Sequence, residues 1–176
     1  MRRYKTLPRQ DWEVSVLSRL ERSGDIGKKA VGFISGRNVK LSFGAQPTGA
    51  KWTLKGMLVG PPEIVINSAQ TKSTKEGKDA WSISLIAHEA KHYQQGLLVA
   101  LSVYGELEAW QLQMRVLSDL SAPPKHPALL AIEKLKLSHE PVVLREAVRL
   151  MKEFAPGYRI DLLPLNPIIS FRQGKS

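Results

Sequence analysis

Two of the four histidines in the 176-residue chain stand four positions apart, in His88-Glu89-Ala90-Lys91-His92. On an α-helix such a pair is about 40° apart in projection and one turn apart along the axis, so both imidazoles reach one cation. The glutamate directly after the first histidine sits about 100° away, beside such an ion and not on it. From there its carboxylate can take a proton from a water whose pKa a divalent metal has lowered. For a chain with this many His and Glu, chance would supply the pattern about 0.006 times, so its presence carries information. The bland reading is two surface histidines flanking an ordinary Glu. The helical wheel weakens it: His88 and His92 share a side with Trp81 and Leu85, while Lys91, Ser84 and Gln95 gather on the solvent-like side.

Cysteine is absent, so any metal must be held by imidazole and carboxylate. A catalytic Zn²⁺ needs three protein ligands and an open fourth position. A third histidine six residues past His92 is excluded, because that position is Leu98. The next segment offers Glu106 and Glu108. Glu106 shares a helical stripe with Trp110, Met114 and Leu117, where a carboxylate is costly without a cation. Glu108 falls among Gln111, Arg115, Ser118 and Asp119 and reads as solvated. Glu106 is therefore the expected third ligand, with Glu89 as the base. A donor for a developing oxyanion is also required. Tyr104, His126, His139 and Tyr158 are candidates that the sequence does not rank. Tyr93, Trp52 and Trp81 read as packing residues, although either tryptophan could line a cleft.

The elements that must position these groups follow from periodicity and punctuation. Trp12, Val16, Leu17 and Leu20 predict a helix over about 11–21, with Asp11 as N-cap and Gly24 as stop. Short β-type runs follow at Ala30–Ile34, Val39–Phe43, Lys51–Val59 and Glu63–Asn67, of which the first could instead prolong a helix. Ser68–Lys78 is polar and Lys-rich and reads as an exposed loop. Helices are expected over about Ala80–Gln95, Tyr104–Leu120, Pro127–Leu137 and from Pro141 to just before Pro156, ahead of an irregular Pro-rich tail. The chain folds back between the first two of these, around Gly96–Ser102, bringing Glu106 opposite the histidines. Strands first and helices afterwards make the expected class α+β, one domain over 1–176, with a small N-terminal mixed or antiparallel sheet and a helical C-terminal half carrying the metal.

His88–His92 followed by a helix bearing Glu106-Leu107-Glu108-Ala109 resembles the gluzincin branch of zincin-type metallopeptidases. The run His88–Gln95 also resembles the HExxHxxQ form of compact members of unassigned substrate. The likeness covers about Glu63–Leu120. It implies a zincin-like fold, zinc on His88, His92 and Glu106, Glu89 as general base, and a peptide or protein substrate. It also implies that a strand such as Glu63–Asn67 is the edge that pairs with extended substrate. The chain departs from the pattern at Trp110, where many relatives carry an Asp that orients a zinc-binding His. Gln113, on the Glu106 stripe, is the candidate replacement.

Composition bounds the rest. Apolar residues make up 43% of the chain, which argues against wholesale disorder. No apolar run follows the basic N-terminus, and Gly96–Tyr104 is about half a bilayer span, so a soluble cytoplasmic protein without membrane contact is expected. The net charge of +10 invites a nucleic-acid reading, but the basic residues are scattered and no aromatic-interleaved basic stripe accompanies them. The rival to a hydrolase is thus a basic nucleic-acid or protein-binding module with a structural or decayed zinc site.

Overall fold

Val16, Leu17 and Leu20 recur at helical spacing and are buried in α1 (Asp11–Arg22). The cap lies one residue earlier than expected: the Glu13 carboxylate accepts the Gln10 backbone N–H at 2.9 Å, and Asp11 is the first helical residue. The computed structural model describes residues 9–46, 49–53, 55, 58–76 and 78–167.

Ala30–Ile34 is helix, correcting the first strand expectation. It lies within α2 (Asp25–Gly36), whose buried residues Gly27, Ala30 and Ile34 are three and four apart. That spacing makes one helix face and cannot make one face of a strand.

Three strands form the sheet: β1 (Lys40–Gly44), β2 (Ala50–Trp52) and β3 (Glu63–Asn67), in the order β1-β3-β2. β1 runs parallel to β3, from Lys40 opposite Glu63 to Gly44 opposite Asn67, and β2 runs antiparallel, with Lys51 opposite Val65. Alternation along β3 buries Ile64 and Ile66 completely. Two expectations change here. Glu63–Asn67 is the central strand, not the edge; the outer strands are β1 and β2. The run 51–59 contributes strand only as far as Trp52, and its residues 54, 56 and 57 lie outside the described residues. Nor is 68–78 a plain loop. A 3₁₀ turn (Ser68–Gln70) leads into α3 (Thr71–Lys75), where Thr74 is fully buried.

The helical half follows its punctuation closely. Asp79 accepts the Ser82 N–H and starts α4 (Ala80–Gln95), and Gly96, at φ +75°, ends it. The short α5 (Leu97–Ala100) turns the chain, and Ser102 caps α6 (Val103–Asp119) by accepting the Gly105 N–H at 3.1 Å. Pro127 and Pro141 stand at the first turns of α7 (Pro127–Lys134) and α8 (Pro141–Phe154). The tail returns over the start of α6, where Val103 and Tyr104 donate to the carbonyls of Pro164 and Leu165.

Two apolar cores flank the α4–α6 pair. Ile83, Ile86, Ala87 and Ala90 of α4 pack with α1, α2 and the sheet. Leu107, Trp110, Met114 and Leu117 of α6 pack with α7, α8 and Ile160. The molecule is α+β and mostly helical. Among the described residues, no helix is long and apolar enough to cross a membrane.

Candidate metal centre

α4 presents His88 and His92 to α6, and the turn through α5 presents Glu106 to them. Gly105 makes that approach feasible: a Cβ there would lie 2.0 Å from the Val99 carbonyl oxygen, so only glycine lets the first turn of α6 sit on α5. All three side chains are buried.

The two Nε2 atoms are 3.0 Å apart. His88 Nε2 lies 3.6 Å from Glu106 Oε2, and His92 Nε2 lies 3.6 Å from Glu106 Oε1. Ligands at ordinary zinc distances around a tetrahedron stand about 3.3 Å apart, so this triangle fits one cation. Two ring nitrogens facing at 3.0 Å also require a proton or a cation between them. Among the described residues, Glu106 Oε2 has no hydrogen-bond partner, which leaves a buried lone pair for a ligand bond.

Without a metal the centre behaves as an ion pair. Burial opposes charge on His92, but the Glu106 carboxylate, Glu89 and the bond to Gln95 outweigh it and raise the imidazole to about 9. Burial likewise acts against the Glu106 carboxylate, yet His92 and His88 hold it well below the usual carboxylate range.

Glu89 is buried beside the triangle, and its Oε2 accepts the backbone N–H of Trp52, at the end of β2, at 2.8 Å. Burial raises this carboxyl above its ordinary value, the histidines pull it back, and Glu106 adds to the rise. β2 therefore does two things here: it lines the cleft with Ala50, Lys51 and Trp52, and it aims the candidate base. Tyr93, read as a packing residue, packs against the first core and also ties α4 to the sheet, its hydroxyl accepting the Glu63 N–H at 2.9 Å and the Thr53 N–H at 3.2 Å.

The histidines differ in what orients them. His92 Nδ1 lies 3.0 Å from Gln95 Oε1, while Gln95 Nε2 donates to the Gly105 carbonyl at 2.9 Å and to Glu108 Oε2 at 3.0 Å. Glu108 also pairs with Lys91 at 2.7 Å, and its side chain is only 29% exposed. Gln95 and Glu108, read as solvent-facing in sequence, are thus a bridge between the two ligand helices. The sequence signal was the eighth residue of the HExxHxxQ run, which periodicity alone places on the wrong side. Among the described residues, His88 Nδ1 has no hydrogen-bond partner, and Trp110 packs edge-on against the His88 ring with centroids 5.9 Å apart. Gln113, the candidate replacement for the missing Asp, bonds to neither imidazole; both of its amide atoms are buried and unpaired.

The four oxyanion candidates separate. Tyr104 stacks on His139 at 4.1 Å, His139 bonds Asn166, and His126 caps α7. Tyr158 alone of the four lines the cleft. Burial, and then the negative field of Glu106 and Glu89, push its phenol well above the ordinary value, so it keeps its proton as a donor. The cleft has a volume of about 690 Å³ and also takes in Asn67, Gln70, Trp81, Leu85 and Phe154. That is large enough for a few residues of a peptide.

No family model matches this chain, and comparison with curated proteins and with solved structures finds no match for it either.

Proposed function

We propose that this protein is a zinc-dependent peptidase of zincin-like architecture, with His88, His92 and Glu106 as metal ligands and Glu89 as general base. The observation that carries the proposal is the buried His88–His92–Glu106 triangle opening on a cleft beside a carboxylate that is not part of it. A zinc ion held there would supply a Lewis acid for a carbonyl oxygen and lower the pKa of a coordinated water.

The chain's own groups perform the rest. Glu89, fixed by the Trp52 N–H, accepts a proton from the attacking water and delivers it to the departing amine. Tyr158 donates its phenolic hydrogen bond to the oxygen on which negative charge develops. β2, the outer strand beside the cleft, takes the role first expected of Glu63–Asn67 as the strand along which an extended peptide would lie.

Metal analysis of the purified protein and digestion of a broad peptide library, wild type against Glu89→Gln, test the reading together. Near-stoichiometric zinc and cleavage abolished by Glu89→Gln are expected. A protein that does not take up zinc, or cleavage indifferent to Glu89→Gln, sinks it.

A further inference from the structure

The cleft continues past the metal ligands. Beyond His88 its wall is a chain of rings: Trp110 meets Phe154 edge-on at 5.7 Å and 82°, and Phe154 meets Trp81 at 5.7 Å. Leu85 completes the apolar lining, with Gly49 laid against it so closely that a Cβ would come within 2.5 Å of Leu85 Cδ1. The most deeply buried residue of this lining is Gln113, at 0% exposure. Among the described residues, neither its Oε1 nor its Nε2 has a hydrogen-bond partner. A buried primary amide with neither acceptor nor donor satisfied is costly, and it invites a ligand group that can do both.

We infer that this aromatic end is a side-chain subsite for tyrosine, in which the phenol ring lies among Trp81, Trp110 and Phe154 and its hydroxyl pairs with the Gln113 amide. The recognition follows from shape and polarity. The walls want a flat apolar body, and edge-to-face packing rewards a ring. The amide wants a neutral tip that donates and accepts, which phenol does and phenylalanine does not. Lysine, arginine and carboxylate tips find no opposite charge among Trp81, Leu85, Trp110, Gln113 and Phe154, so burial there disfavours them. Use of the subsite in cleavage rests on the peptidase reading; the subsite itself needs only the binding groove.

The test is equilibrium binding of N-acetyl-tyrosinamide and N-acetyl-phenylalaninamide to the full-length protein, followed through tryptophan indole NMR signals, in wild type, Gln113→Leu and Gln113→Met. One neutral hydrogen bond in a dry pocket gives wild type about a tenfold preference for the tyrosine probe. Either Gln113 variant should reduce that preference to about onefold. Equal binding of the two probes to wild type, or a tyrosine preference that survives in both variants, overturns the subsite; the latter would mean that water alone pairs the amide. Library cleavage is scored separately. Tyrosine preference without cleavage supports the subsite and sinks the peptidase, whereas cleavage with no such preference overturns the subsite alone.

Discussion

The two sides of the His88–His92–Glu106 triangle are built differently. On the His92 side, Gln95 holds the imidazole and is itself held by Gly105 and Glu108 of the opposite helix. On the His88 side there is an indole edge and no hydrogen bond to Nδ1. Ligand histidines ordinarily pass their second nitrogen to an acceptor, which fixes ring orientation and raises basicity. This chain keeps that device for His92 and replaces it with packing for His88. The lesson is that orientation can come from a hydrogen bond or from a close-fitting wall, and the two should respond differently to substitution.

Removing a ligand is the coarse control and carries the largest effect. Glu106→Ala should reduce zinc affinity by more than about a thousandfold, well beyond the 10- to 100-fold typical of supporting residues, measured by competition with a chromophoric chelator. Retention of wild-type affinity would remove Glu106 from the centre. Glu89→Gln should leave zinc affinity near wild type and lower kcat by about 10²–10⁴. A loss of metal in that variant would show that Glu89 had been misassigned.

The pH dependence sharpens the His92 side. His92 is raised to about 9 by its carboxylate neighbours, and zinc needs the neutral ring. Zinc affinity should therefore rise about tenfold per pH unit from pH 6 to 8, with release of about one proton per ion, measured by calorimetry in buffers of different ionisation enthalpy. Metal-free protein should show the opposite trend. A group whose folded pKa is raised stabilises most below its unfolded value near 6.5, and that stabilisation is lost as pH climbs through about 9. A metal-free melting temperature no lower at pH 10 than at pH 6 would contradict the ion pair.

The contrast itself is broken or upheld by the last pair of variants. Gln95→Leu should weaken zinc about 10- to 100-fold, because it frees the His92 ring and cuts the bridge to α6. Trp110→Phe keeps an aromatic edge against His88 and should change affinity by less than about threefold. If Trp110→Phe costs as much as Gln95→Leu, the indole contributes more than packing.

Much of this was legible before any coordinates. The segments 80–95, 103–119, 127–134 and 141–154 announce themselves through 3.6-residue periodicity and through Asp79, Gly96, Pro127 and Pro141 at their ends. His88, Glu89, His92 and Glu106 follow from the same periodicity, since a wheel reports which residues share a face. Ala30–Ile34 was ambiguous because a short apolar run with β-branched residues suits either a strand or a buried helix turn. The central place of Glu63–Asn67 depends on β1 arriving in parallel, a long-range pairing that no local pattern encodes. Gln95 and Glu108 were misread for a related reason. A wheel describes one helix alone, and their role exists only where α4 and α6 face each other.

The contact at Gly105 has a mechanical consequence. The first turn of α6, which carries Glu106, rests on α5 main chain against main chain, with no compressible side chain between as a spacer. A single methyl group at residue 105 would act as a wedge, tipping the first turn of α6 outward and carrying the Glu106 carboxylate with it. The triangle would then come apart with His88, His92 and Glu106 all still present.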